Sequence, residues 1–215
     1  GRIKEHSAVV FQNKIWIAGR DMGRFSCSAP DTCTYRYMYD NFAISSVDGI
    51  SWSHSGPIGD TFRTAASLIV YDNKLWIMGG IGCHSSLGFY CPDSGGAISF
   101  LKDVWYTTDG TVWTQVTSNA AWSGRTTEAL GDYDNKMWVL GGYNGSVTLR
   151  DVWYSKDGLV WTLATSSAGW FPRVDHSVLL SNNRMWVLGG NLVGPAYWND
   201  VWSASHKEMF LYNNF

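Results

Sequence analysis

One frame is written four times in this chain: QNKIWIAGR at 12–20, DNKLWIMGG at 72–80, DNKMWVLGG at 134–142 and NNRMWVLGG at 182–190. Starts at 12, 72, 134 and 182 give intervals of 60, 62 and 48 residues. Recurrence at that scale means that one supersecondary unit is copied, and a unit so small buries its apolar face only against a neighbouring copy. Each copy has a second half: FAISSVDGISW at 42–52, DVWYTTDGTVW at 103–113, DVWYSKDGLVW at 151–161 and DVWSASHKEMF at 200–210.

The third copy shows the unit most clearly. TEALGDY (127–133), NKMWVLGG (135–142), DVWYSK (151–156) and LVWTLA (159–164) are four short runs of β-forming residues with no helical spacing. Asp134-Asn135 and Asp157-Gly158 separate the runs, and both dipeptides tolerate the positive φ of a tight hairpin. The predicted unit is therefore a four-stranded antiparallel meander. Ten of the 13 Trp fall at fixed places in it: Trp16, Trp76, Trp138 and Trp186 on the second strand, Trp105, Trp153 and Trp202 on the third, and Trp52, Trp113 and Trp161 on the fourth. Flat rings at constant depth fill the wedge between sheets arranged radially, which is the propeller solution to exposed sheet edges.

With an Arg before the first strand (Arg63, Arg125, Arg173), a His on it (His6, His176), a double Gly after the second and aromatics on the third and fourth, the chain resembles the kelch repeat (kelch type 1) of β-propellers, as in the central domain of galactose oxidase. The resemblance implies an all-β fold of four four-stranded antiparallel kelch-like blades, at about 1–57, 58–119, 120–167 and 168–215. Departures concentrate in the outer copies, where Gly19-Arg20 replaces Gly-Gly, Phe210 replaces Trp, and His206-Lys207 replaces Asp-Gly. Neither His nor Lys favours a left-handed turn, so the last hairpin is expected to be irregular. Kelch proteins more often have six or seven blades, and the sequence leaves open a four-bladed ring, an open array or part of a larger propeller.

In a meander the loops after strands two and four share one face. The two-to-three loops (21–41, 81–102, 143–150, 191–199) are the long ones, and long loops on a rigid scaffold are where binding resides. The candidate ligand-binding residues on that face are Arg36, Tyr37, Tyr39, Phe89, Tyr90, Tyr143, Tyr197 and Trp198. Trp122, Trp170 and Phe171 lie in the linkers between copies, where the repeat-equivalent Trp122 and Trp170 read as packing. Arg63, Arg125 and Arg173 are a second candidate set: in a closed ring they would converge near the axis and hold a carboxylate or sulfate, or else brace blade to blade. Glu128 and His176 occupy matching positions nearby, and with Arg125 they are weak catalytic candidates for proton transfer.

The expected function is a non-catalytic recognition module for a protein or glycan, working through the long-loop face. The alternative is a carbohydrate-active kelch enzyme, sialic-acid mutarotase-like or oxidase-like, with a pocket at the axis. The Tyr, His and Cys set of the copper oxidases cannot be assembled here, so no cofactor is expected. Cys27-x5-Cys33 and Cys83-x7-Cys91 are disulfide candidates; pairing would imply an extracellular or periplasmic setting, whereas free thiols fit a cytoplasmic one. A metal site from Cys83, His84 and Cys91 lacks paired spacing and a fourth ligand. Lys plus Arg (16) balances Asp plus Glu (18), which argues against a nucleic-acid partner, and no apolar run is long enough for membrane insertion. Self-association is expected if the ring is incomplete.

Overall fold

The computed structural model describes residues 6–18, 41–82, 98–126 and 128–205, together with the backbone of 24–29, 32–36, 83–84, 97 and 208–213. In the first copy β1 (Ser7–Phe11) and β2 (Lys14–Ala18) form a hairpin, and the long loop that follows carries its own hairpin, β3 (Arg24–Ala29) and β4 (Thr32–Arg36). β5 (Ile44–Ser46) and β6 (Ser53–His54) complete the sheet in the order β1-β2-β5-β6. The linker strand β7 (Phe62–Thr64) then leads to β8 (Ser67–Tyr71) and β9 (Lys74–Met78), and the second long loop supplies β10 (Ile81–His84) and β11 (Ala97–Phe100). β12 (Val104–Thr107) and β13 (Thr114–Thr117) close the second blade, while β7, β10 and β11 make a separate three-stranded sheet. The third blade is β14 (Ala129–Asp132), β15 (Met137–Tyr143), β16 (Thr148–Ser155) and β17 (Thr162–Thr165). The fourth is β18 (Ser177–Ser181), β19 (Arg184–Leu188), β20 (Val201–Ser205) and β21 (Glu208–Asn213).

All pairings are antiparallel, and no helix occurs among the described residues. The two longest loops, read from the sequence simply as loops, therefore contain sheet of their own. Turn chemistry sets the first hairpin of every blade: Gln12-Asn13, Asp72-Asn73, Asp134-Asn135 and Asn182-Asn183 all have φ between 48° and 59°. The second hairpin turns on side-chain hydrogen bonds. The amide of Gly110 donates to Thr107 Oγ1 (2.9 Å), and the amides of Thr111 and Val112 donate to Asp109 Oδ1 (2.7 and 3.1 Å). Ser46 with Asp48 and Ser155 with Asp157 repeat the arrangement. Backbone amides aimed at the carboxylates hold Asp48 and Asp109 below the ordinary range. The turn delays the fourth strand, so Trp113 and Trp161 stand just before β13 and β17.

The core lies between blades. Phe11 and Trp16 of the first blade meet Leu68, Leu75 and Ile77 of the second; Ile69, Tyr71 and Trp76 of the second meet Met137, Val139 and Trp161 of the third; Tyr133 and Trp138 of the third meet Met185 and Val187 of the fourth. The first two wedges are keyed by an indole on the turn of the next blade. A Cβ on Gly158 would overlap the Trp76 ring, and one on Gly110 would overlap Trp16, so the Asp-Gly turns need glycine for packing as well as for φ. Tyr71 Oη and Tyr133 Oη donate to the carbonyls of Asn135 and Asn183, fixing the same contact at the inner edge.

Blades succeed one another around a common line: β1 lies beside β8, β8 beside β14 and β14 beside β18, while β18 and β1 form no comparable pair. The four blades make an arc, with the innermost strand of each facing the same space.

Candidate functional site

The double-glycine corners and the linker arginines build the wall of that space. Arg125 is fully buried; its Nη1 and Nη2 donate to Asp151 at 2.7 and 2.9 Å, and Nη1 also donates to the carbonyl of Gly141 at 2.8 Å. Arg173 makes the same set with Asp200 and Gly189, and Arg63 pairs with Asp103 at 3.1 and 2.7 Å. Burial raises the carboxyls of Asp151 and Asp200, but the bidentate guanidinium more than offsets it and leaves both below the ordinary range. Trp153 and Trp202 Nε1 donate to the same two carboxylates, both at 2.7 Å. Backbone joins one blade to the next at this point, because the amides of Gly80 and Gly142 donate to the carbonyls of Arg125 and Arg173. The three arginines thus brace each linker to its blade, and none of them lines the space between the inner strands.

That space is a groove of about 870 Å³ bounded by His6–Val10, Ala65–Val70, Glu128–Asp132 and Asp175–Leu180. Its size is that of a small-molecule site. At the long-loop end four equivalent positions present His6, Ala66, Glu128 and His176. Glu128 lies against Gly79 and His176 against Gly141, where the absence of a Cβ leaves room for the longer side chain of the next blade. Glu128 is 5 % exposed and His176 7 %, yet neither carboxylate oxygen and neither ring nitrogen has a hydrogen-bond partner. Buried polar atoms in native proteins are nearly always paired, so four unpaired ones on a groove wall mark a place for a ligand or water.

Burial disfavours charge on both groups. It pushes the Glu128 carboxyl up to about 8, against smaller opposing pulls from its own backbone amide and from Arg125. It pushes the His176 imidazole down to about 3, and Arg173 acts in the same direction. At neutral pH the wall therefore presents an uncharged acid that can donate and an uncharged imidazole that can donate and accept.

The long-loop candidates are only partly brought together. Tyr143, at the end of β15, packs edge-on against Phe100 at 5.7 Å and donates its hydroxyl to the carbonyl of Gly145. Trp198 stacks on Phe171 at 4.9 Å and donates Nε1 to the carbonyl of Pro172. Phe171 (60 % exposed) and Tyr197 (78 %) offer free ring faces at this end. Trp122 and Trp170 are buried in the inter-blade layers. Arg36 is described by its backbone in β4 alone, and Tyr37, Tyr39, Phe89, Tyr90 and Cys91 lie outside the described residues. The backbone of β3 and β4 sets Cys27 directly opposite Cys33, while Cys83 stands opposite Ile98 and Phe62. Among the described residues no group of three His, Cys, Asp or Glu is placed to hold a metal ion.

No protein-family model and no curated protein matches the sequence. Among solved structures, the one titled "Structure of YjhT" superposes with a TM-score of 0.70 at 14 % identity, over 100 % of this chain and 65 % of that one. The chain has a multi-blade β-propeller fold. It spans 65 % of the length of YjhT. The four-stranded sheets and this likeness are compatible with a propeller of kelch type.

Proposed function

We propose that this chain is a carbohydrate-recognition domain whose ligand sits at the long-loop end of the groove, in contact with Glu128 and His176. The observation that carries the proposal is the unpaired, buried state of both side chains on the wall of a groove of ligand size. Sugar hydroxyls donate and accept at once, and so suit a neutral carboxyl and a neutral imidazole better than a charged group does.

A second reading is favoured by the two groups being an acid and a base on adjacent inner strands. The kelch repeat that the sequence resembles is also found in sialic-acid mutarotases, whose chemistry needs a shaped pocket with Arg, Glu and His. An uncharged Glu128 giving a proton to the ring oxygen, as His176 takes one from the anomeric hydroxyl, would open a cyclic sugar; the reverse on the other face would close it as the other anomer.

Saturation-transfer NMR with a panel of neutral and acidic monosaccharides, followed by anomer-exchange spectra, tests both readings. Binding is expected for at least one sugar, with an affinity reduced about tenfold or more by Glu128→Leu, the loss of one buried hydrogen bond. No saturation transfer from any sugar, or transfer unaffected by Glu128→Leu and His176→Leu in folded protein, overturns the recognition reading. Exchange no faster than in buffer removes the second.

A further inference from the structure

Of the four inner strands, β14 alone is bordered by a carboxyl at each end. Glu128 stands where the other copies have His6, Ala66 and His176, and Asp132 stands where they have Val10, Val70 and Leu180. Neither acid is therefore called for by the repeat. Both border the seam between the second and third blades. That seam is complete within the chain, since β8 lies between β1 and β14, and β14 between β8 and β18.

The two acids share one face of the strand. Gly131 faces the fourth blade, where a Cβ would meet Val178 and Met185, whereas Leu130 packs with Ile69 and Tyr71 of the second blade. By alternation Glu128 and Asp132 point to the same side as Leu130. Glu128 reaches the niche at Gly79, and Asp132 lies close enough to Tyr71 for its charge to act on that phenol. The phenol itself is committed, because it donates to the carbonyl of Asn135 at 2.7 Å. Asp132 has no hydrogen bond or ion pair to its side chain among the described residues, and burial raises its carboxyl against an opposing pull from its own backbone amide.

Four residues along a strand separate the two acids by about 13 Å. One pyranose ring is shorter than that, and two linked rings are close to it. Between the acids, β8 and β14 are the edge strands of their sheets and form the groove wall with their outward backbone N–H and C=O groups. A line of alternating donors and acceptors suits successive sugar hydroxyls. We propose that the groove takes an oligosaccharide of at least two linked residues, laid along β14 with one residue at Glu128 and the next bound by Asp132. This rests on the carbohydrate reading above and adds to it a second subsite and a ligand class, linked sugars over free monosaccharides. Asp132 as a carboxylate accepts two hydroxyls at once, which fits a vicinal diol.

Isothermal titration of the intact chain with glucose, maltose and cellobiose, galactose and lactose, and N-acetylglucosamine and chitobiose tests this. At least one disaccharide is expected to bind about tenfold or more tightly than its monosaccharide, the worth of a hydrogen bond to a charged group. Asp132→Leu, which installs the side chain that the fourth copy carries, should remove that gain with unchanged far-UV circular dichroism. Asp132→Asn, which still accepts a hydrogen bond, should keep part of it. Glu128→Leu should instead weaken monosaccharide and disaccharide together. Monosaccharides bound as tightly as every disaccharide, or a disaccharide gain that survives Asp132→Leu, overturns the second subsite while loss of binding in Glu128→Leu upholds the first. No heat of binding from any of these sugars overturns both.

Discussion

Arg125→Met should lower the stability of the chain by about 3–5 kcal/mol, the cost of leaving a buried charge without its partner. At roughly 2–4 °C per kcal/mol for a domain of this size, the melting midpoint falls by about 10 °C. The loss has two sources in the structure. Asp151, largely buried, loses a bidentate cation, and the carbonyl of Gly141 loses its donor. The linker between the second and third blades is freed at the point where Gly80 bonds to the Arg125 carbonyl. Removing both charges in Arg125→Met/Asp151→Leu should recover part of the loss, since a buried ion pair is worth little over apolar residues of similar volume. Thermal denaturation of the two variants beside the wild type measures this. A single variant as stable as the wild type that has lost ligand binding would instead make the guanidinium a binding group.

Trp76→Ala should cost a similar amount, about 3–5 kcal/mol for a large buried aromatic whose site cannot collapse. Its ring is pinned from several sides: Nε1 donates to the carbonyl of Tyr71, Tyr106 packs at 5.1 Å, and the Gly158 turn of the next blade closes over it. The matching change in the fourth blade is the control. Trp186 keeps the analogous bond to the carbonyl of Ser181 but has no following blade in the chain, so Trp186→Ala should cost about 1 kcal/mol, as an ordinary substitution does. Because stability in a repeat array is a sum of neighbour terms, Trp76→Ala should also broaden the transition as the array divides at the second junction. Urea denaturation followed by circular dichroism reports both effects. Equal costs at the two positions would mean that the indoles are not interfacial wedges.

The fold was legible because its determinants are local. An Asn or Asp pair with positive φ, an Asp-Gly turn and a Trp at fixed depth each act over a few residues, and four copies put the same signal side by side. What escaped was what depends on partners far along the chain. The arginines carry the right repeat signal, but their partners Asp103, Asp151 and Asp200 lie 40, 26 and 27 residues on. The recurring D-V-W opening of the third strand could have disclosed them, since a buried Arg and an Asp that recur together are candidates for one pair. Sheet in the second long loop escaped for another reason, as β7 pairs with β10 across a whole hairpin, whereas the β3–β4 hairpin of the first loop is local and was simply not read. Glu128 and His176 were visible as equivalent positions. That they lie unpaired in the niches left by Gly79 and Gly141 depends on the packing of adjacent blades, which no single repeat encodes.

The functional account rests on an uncharged acid in the groove wall. Glu128 has a folded value of about 8 against an ordinary 4.5, so between those pH values the folded chain holds a proton that the unfolded chain has released. Stability attributable to this group is therefore present in full below pH 4.5 and is lost as pH rises toward 8, by on the order of 5 kcal/mol in total. Glu128→Gln should abolish that decline relative to the wild type. His176, lowered from 6.5 to about 3, contributes in the opposite sense: its stability is present above 6.5 and is lost as pH falls toward 3. The most direct measurement is a carbon-13 NMR titration of the Glu128 side-chain carboxyl in the folded chain. A midpoint near pH 8 is the result the account predicts. A midpoint near 4.5 would mean a solvated or paired carboxylate, and would contradict the reading of this groove as a site for uncharged polar recognition.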